Sequence, residues 1–231
     1  MRRRNPLLPL ALLGLVLAAC SADPINVVVL AARAPGDKCD FSDNTKYVEG
    51  GSVDFRPYVS GGFITSTGSY GQVFAWENNL QPVPLTVNGD VVDPGHGNDF
   101  VADSVVFEYQ YTDPAVTLAS ELQNIHATIA AGALPDTNTV GASLIQPGAS
   151  NAIGASTLID TVPQTLLVTF QIFGKLVAGQ PKYTNKVSFP VTVYRSSTVP
   201  LDCSAGTGGL VINGGPCGIP GRDQVVSCTK P

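Results

Sequence analysis

Leu166-Leu167-Val168-Thr169-Phe170-Gln171-Ile172-Phe173-Gly174-Lys175-Leu176 is followed by Lys186-Val187-Ser188-Phe189-Pro190-Val191-Thr192-Val193-Tyr194. Both runs are rich in β-branched and aromatic residues. In the second, Val187, Phe189, Val191 and Val193 occupy every other position, which places them on one face of a strand. Ala178-Gly179-Gln180-Pro181-Lys182 lies between the runs and has turn chemistry, so the pair reads as a β-hairpin. Pro190 has no N–H for a ladder and is expected at an edge position or a bulge.

The same pattern extends outward. Ile25–Leu30, Gly51–Arg56, Gln72–Trp76 and Val105–Tyr111 are short β-rich runs bounded by Gly, Pro, Asn and Ser. In the last of them Val105, Phe107, Tyr109 and Tyr111 share a face. Leu118, Leu122, Ile125 and Ile129 recur at helical spacing, but Ile125-His126-Ala127-Thr128-Ile129 also suits a strand, and the β-rich surroundings favour the strand. The stretch from Ala133 to Pro163 reads as loop-rich. Phe74 and Trp76, the only tryptophan, sit two apart on one strand face and are expected in the core. Many short strands with frequent turns predict a mainly β fold, an antiparallel β-sandwich of immunoglobulin-like or related type. No Cys pair brackets Trp76 as in antibody domains.

The chain opens with Arg2, Arg3 and Arg4, an apolar run from Leu7 to Ala19, and then Cys20. A basic start, a short apolar core and small residues before a cut make an export signal, here residues 1–19. Thirteen apolar residues are too few to span a bilayer, which takes about 20. Leu17-Ala18-Ala19-Cys20 resembles the lipobox of bacterial lipoproteins. That resemblance implies cleavage before Cys20, diacylglycerol on its sulfur and a membrane-held domain, since two or more acyl chains anchor stably. Ser21 after the cysteine resembles the default outer-membrane sorting signal of that family. The lipobox, the β-rich acidic body, Trp76-Glu77-Asn78-Asn79-Leu80 and Gly214-Gly215-Pro216-Cys217-Gly218 together resemble a group of uncharacterised β-rich outer-membrane lipoproteins. The group brings no activity with it.

The organisation expected is a signal peptide at 1–19, a lipid-anchored sandwich at 20–200, and a Cys/Gly-rich tail at 201–231 packed on it. The tail holds few large apolar residues and cannot build its own core. Cys39, Cys203, Cys217 and Cys228 are an even set in an exported chain, so two disulfides are expected, with three connectivities open. Zinc fits less well, because no Cys-x-x-Cys spacing is present and neither His96 nor His126 lies near the cysteines. The pairing expected is Cys39 with Cys203 and Cys217 with Cys228, because first and last strands of a sandwich often lie side by side.

Without the three leader arginines, ten basic residues face eighteen acids, a net charge of −8. No Lys or Arg occurs between Arg56 and Lys175, which argues against nucleic acid as a partner. Asp90, Asp93, Asp99 and Asp103 lie on or beside a Gly-rich stretch and are candidate oxygen ligands for Ca²⁺. Gly95-His96-Gly97-Asn98-Asp99 resembles one unit of the glycine-rich calcium repeats of secreted bacterial proteins. Those sites form between stacked copies, and a single copy is present, so a polar connection between strands accounts for it better. No Gly-x-Ser-x-Gly elbow, phosphate loop or His-Glu-x-x-His occurs, and no catalytic residue is assigned. His126 is expected to face solvent or to be capped. The expected function is a non-catalytic binding or structural component of the bacterial cell envelope, with a protein or polysaccharide partner and no cofactor beyond the lipid on Cys20. The alternatives are a tethered hydrolase of cell-wall or extracellular polymers and a calcium-dependent adhesion module.

Overall fold

The fold follows from strands whose alternate side chains are apolar. A computed structural model describes residues 25–35, 41, 46–66, 68–203, 211–212, 216–219 and 221–229. Residues 1–19, Cys20 and Cys39 lie outside the described residues. In chain order the strands are β1 (Val27–Arg33), β2 (Tyr47–Val48), β3 (Gly51–Asp54), β4 (Tyr58–Ser60), β5 (Phe63–Thr65), β6 (Gly71–Asn78), β7 (Leu85–Val87) and β8 (Asp90–Asp93). They continue as β9 (Phe100–Tyr111), β10 (Glu121–Ile129), β11 (Thr139–Ser143), β12 (Gln164–Leu176), β13 (Pro181–Tyr183), β14 (Val187–Tyr194), β15 (Val211–Ile212) and β16 (Cys228–Thr229). Among the described residues one α-helix, α1 (Pro147–Gly154), lies between β11 and β12.

One sheet has the order β11-β6-β1-β2, and the other β10-β9-β12-β14-β3, with β13 paired to the end of β12. All pairings are antiparallel except β14 with β3. Taking the long strands in chain order, the first, second and fifth (β1, β6, β11) form one sheet. The third, fourth, sixth and seventh (β9, β10, β12, β14) form the other. This is immunoglobulin-type connectivity. The predicted hairpin is β12–β14, turning at Gly179 with a φ of 93°. The strand reading of Ile125–Ile129 holds, within β10, and His126 is exposed. Pro190 lies in a strand with neighbours on both sides, but the ladder with β3 begins only at Val191, and Gly50 lies against the ring without pairing to it.

The two sheets meet through aromatic side chains. Phe74 of β6 packs against Phe170 at 4.7 Å and Phe189 at 6.0 Å, and Trp76 meets Phe100 edge-on at 6.3 Å. All five are buried, as expected for Phe74 and Trp76. Each such side chain contributes about 1.5–3 kcal/mol by leaving water.

Segment 133–163 departs from the expected loop, because it contains α1. Pro147 suits a first helical turn, and Ala149 and Ile153 face the core. Gln146 provides no side-chain cap. Glu121 of β10 supplies it instead, accepting from Gly148 N (2.9 Å) and Ala149 N (2.7 Å) at the positive end of the helix.

The disulfide pairing also departs from expectation. Cys203 bonds Cys228, with Cα atoms 5.6 Å apart, which excludes both Cys39–Cys203 and Cys217–Cys228. The reason lies in the tail's path: it runs back along the open edge of β3. Asp54 N donates to Gly221 O (3.0 Å), Asp223 N to Ser52 O (2.8 Å), and Val226 N to the buried Asp54 carboxylate (3.0 Å). Gly221 has a φ of 77°, and a Cβ there would stand 2.6 Å from Asp54 O, so only glycine permits this approach. Covering β3 in this way removes an edge open to aggregation.

Candidate functional site

The candidate residues fall at opposite ends of the sandwich. β6 ends, β9 begins, β10 ends and β12 ends at one of them, here the loop end. The acidic segment 90–103 belongs to this end. Asp99 is buried: its Oδ1 accepts from Ala131 N (2.8 Å) and its Oδ2 bonds His96 Nδ1 (2.7 Å). Asp93 Oδ1 accepts from Gly95 N (3.1 Å) and His96 N (3.3 Å), closing the turn locally. Asp90 is exposed at the start of β8, beside the Asn88-Gly89 turn. Asp103 lies on β9, bordering a shallow depression with Lys182 and Tyr183. The four carboxylates do not converge, and no cluster of three or more His, Cys, Asp or Glu suited to a metal occurs among the described residues. Asp99 instead joins two loops. Its hydrogen bond, with the nearby Asp93 charge, raises the His96 pKa above the usual 6.5.

The opposite end is built by α1, the β4–β5 hairpin and the exits of β9 and β14. A depression of about 400 Å³ is lined by Phe55, Pro57, Ser66, Asn151, Arg195 and Thr198. Pro57 and Ser66 are the two feet of the β4–β5 segment, whose Phe63 is 77% and Ile64 69% exposed. On the other side of α1 lies a second depression of about 590 Å³, bordered by Asp113, Val116, Thr117, Ser156 and Leu158. Its carboxylate is engaged, since Asp113 Oδ2 accepts from Ser156 Oγ (2.7 Å) and its Oδ1 from Ala115 N (3.0 Å). Arg195 is engaged as well, pairing with Asp160 at 2.5 Å and donating to the carbonyls of Gly154 and Phe55. What remains to meet a ligand is hydroxyl, amide and aliphatic surface, which suits hydrogen bonding and apolar contact.

Sequence reasoning missed this end entirely. Its residues come from positions 55–66, 150–155 and 195–198, with no motif joining them. It also missed the buried polar network beside β3. Arg222 donates to Gln72 Oε1 (2.7 Å) and lies 5.0 Å from the Tyr70 ring centre. Tyr70 faces the Asp223 carboxylate at 3.3 Å, and burial together with that charge pushes its phenol up to about 12. Arg33, fully buried on β1, donates to Pro135 O (2.6 Å) and Asp136 O (3.1 Å) and so pins the β10–β11 loop.

Compared with known proteins, the chain matches no family model, no curated protein and no solved structure.

Proposed function

We propose that this chain is a bacterial envelope lipoprotein whose Cys20 carries the lipid and whose sandwich, held at the outer membrane, acts by binding rather than by catalysis. Arg2, Arg3 and Arg4, the apolar run and Leu17-Ala18-Ala19-Cys20 carry this reading. The fold then orients the domain, because β1 begins at the loop end, where Asn26 O accepts from Asn79 N (2.8 Å). An anchor at Cys20, five residues before Ile25, reaches at most about 17 Å. The loop end is then the one at the membrane. The α1 end, with its two depressions and the exposed Phe63 and Ile64, faces away from the lipid toward a protein or polysaccharide partner. The engagement of Asp113 and Arg195 in internal bonds favours binding over proton transfer at that end.

The test is expression of the full chain and Cys20→Ala in a Gram-negative host with labelled fatty acid. The native chain is expected to incorporate label and to stay with membranes through high-salt washing. Cys20→Ala is expected to lose the label and remain unprocessed. Equal processing and equal unlabelled membrane association of both chains would reject the anchor.

A further inference from the structure

The loop end carries an apolar surface that nothing in the described protein covers. β7 and β8 form a hairpin of their own, paired to neither main sheet. A lone two-stranded hairpin is marginal in water, yet this one displays Val87, Val91 and Val92 at 52%, 60% and 57% exposure. Thr86–Val91 and Val87–Asp90 are adjacent pairs of the ladder and face opposite ways, so Val91 and Val87 leave both faces apolar. Ile25, Leu134 and Val177 are exposed on the neighbouring segments. Those segments are joined: Val177 N donates to Asp99 O (2.9 Å), Ala178 N to Gly97 O (3.0 Å), and Asn78 N to Ala133 O (3.1 Å). Scattered exposed valines need no explanation, but a set gathered on touching loops does.

We infer that this end seats on the lipid surface, with the β7–β8 hairpin dipping into the headgroup–acyl boundary beside the anchor. The inference rests on the lipid-anchor reading of Cys20. Chain length selects the occupant, since a five-residue connection keeps Ile25, which precedes β1 at this same end, within about 17 Å of the lipidated cysteine. The hairpin's own chemistry sets the depth. Its outer edges carry unpaired backbone groups, which the hydrocarbon core does not tolerate, whereas the interface, roughly 5–10 Å deep, does. The segment 85–93 holds Asp90 and Asp93 and no basic residue, so neutral headgroups suit it and anionic lipid opposes it.

Trp76 is buried at 1% exposure and serves as a constant background for an introduced indole. The full chain, expressed to allow lipidation, is made as V87W and V91W, one on each hairpin face, and as F63W at the opposite end. Each is reconstituted in phosphatidylcholine vesicles with brominated acyl chains, and lipidation is read by mass spectrometry. The expected result is a blue shift and loss of emission for V87W or V91W, none for F63W, and a smaller loss when anionic lipid is included. Acylated protein in which neither hairpin variant is quenched would overturn the seating and leave the anchor intact. Quenching of F63W as well would mean the sandwich lies flat, and overturn it too. A blue shift without bromine quenching would assign the surface to another protein copy. A chain without acylation would remove the anchor reading itself, and the seating with it.

Discussion

Removing the Asp54 carboxylate should loosen the tail and lower stability together. Asp54 is fully buried, and its Oδ1 accepts from Ser196 N (2.9 Å) and Arg56 N (3.0 Å). Its Oδ2 accepts from Ser196 Oγ (2.6 Å) and Val226 N (3.0 Å). Asp54→Ala leaves four donors without this acceptor. At about 1 kcal/mol each, the loss is about 4 kcal/mol. For a chain of this size each kcal/mol moves Tm by roughly 2–4 °C, so a fall of roughly 8–16 °C is expected by calorimetry. Asp54→Asn keeps one acceptor oxygen and should lose about half as much. A second readout is trypsin cleavage after Arg222, which is 3% exposed in the native fold. Cleavage should appear in Asp54→Ala and become visible on gels only after reduction, because Cys203–Cys228 holds the fragment. A variant that melts with the native protein and still resists trypsin would refute the assignment of Asp54 as the tail's main dock.

Non-reducing peptide mapping should recover Cys203–Cys228, and replacing both cysteines by serine should cost about 3.5 kcal/mol for a 25-residue separation. Cys39 is expected on Cys217, because Phe41, two residues on, borders the same surface depression as Cys217; a Cys39–Cys203 peptide would contradict the fold. By NMR titration His96 should titrate above 6.5, and Asp99→Asn should lower its midpoint. Because the folded-state pKa is the higher one, its stabilising effect is fully present below 6.5 and lost as pH rises through the raised value; an unshifted midpoint would remove the His96–Asp99 link. Millimolar Ca²⁺ against chelator should move Tm by no more than about one degree, since one tight site at hundredfold saturation would add about 2.7 kcal/mol. A larger shift abolished by Asp99→Ala would restore the calcium reading.

Local alternation made much of the fold legible. Val187, Phe189, Val191 and Val193 announce a strand because side chains on a pleated backbone alternate between faces, whatever the partner. The same reasoning put Val105, Phe107, Tyr109 and Tyr111 on one face, where the structure buries Val105 and Phe107, and read the β12–β14 hairpin from its turn residues. The helix within 133–163 was not read from the sequence, because no side chain adjacent to Pro147 caps it. The cap is Glu121, supplied by a strand more than twenty residues earlier.

By itself, then, the sequence determined strands, their buried faces, the cysteine set and the run Leu17-Ala18-Ala19-Cys20, all readable without tertiary contacts. Only the tertiary structure decided what those elements meet. It paired Cys203 with Cys228 because the tail runs back along β3, and it brought Asp54 to Val226 across 172 positions. It dispersed Asp90, Asp93, Asp99 and Asp103 although they are close in sequence, because a turn, a loop contact and a strand face each claimed a different carboxylate. It also gathered Val87, Leu134 and Val177 at one end although they are far apart. Periodicity reports the direction of a side chain from its own backbone, whereas convergence depends on which loops close in three dimensions.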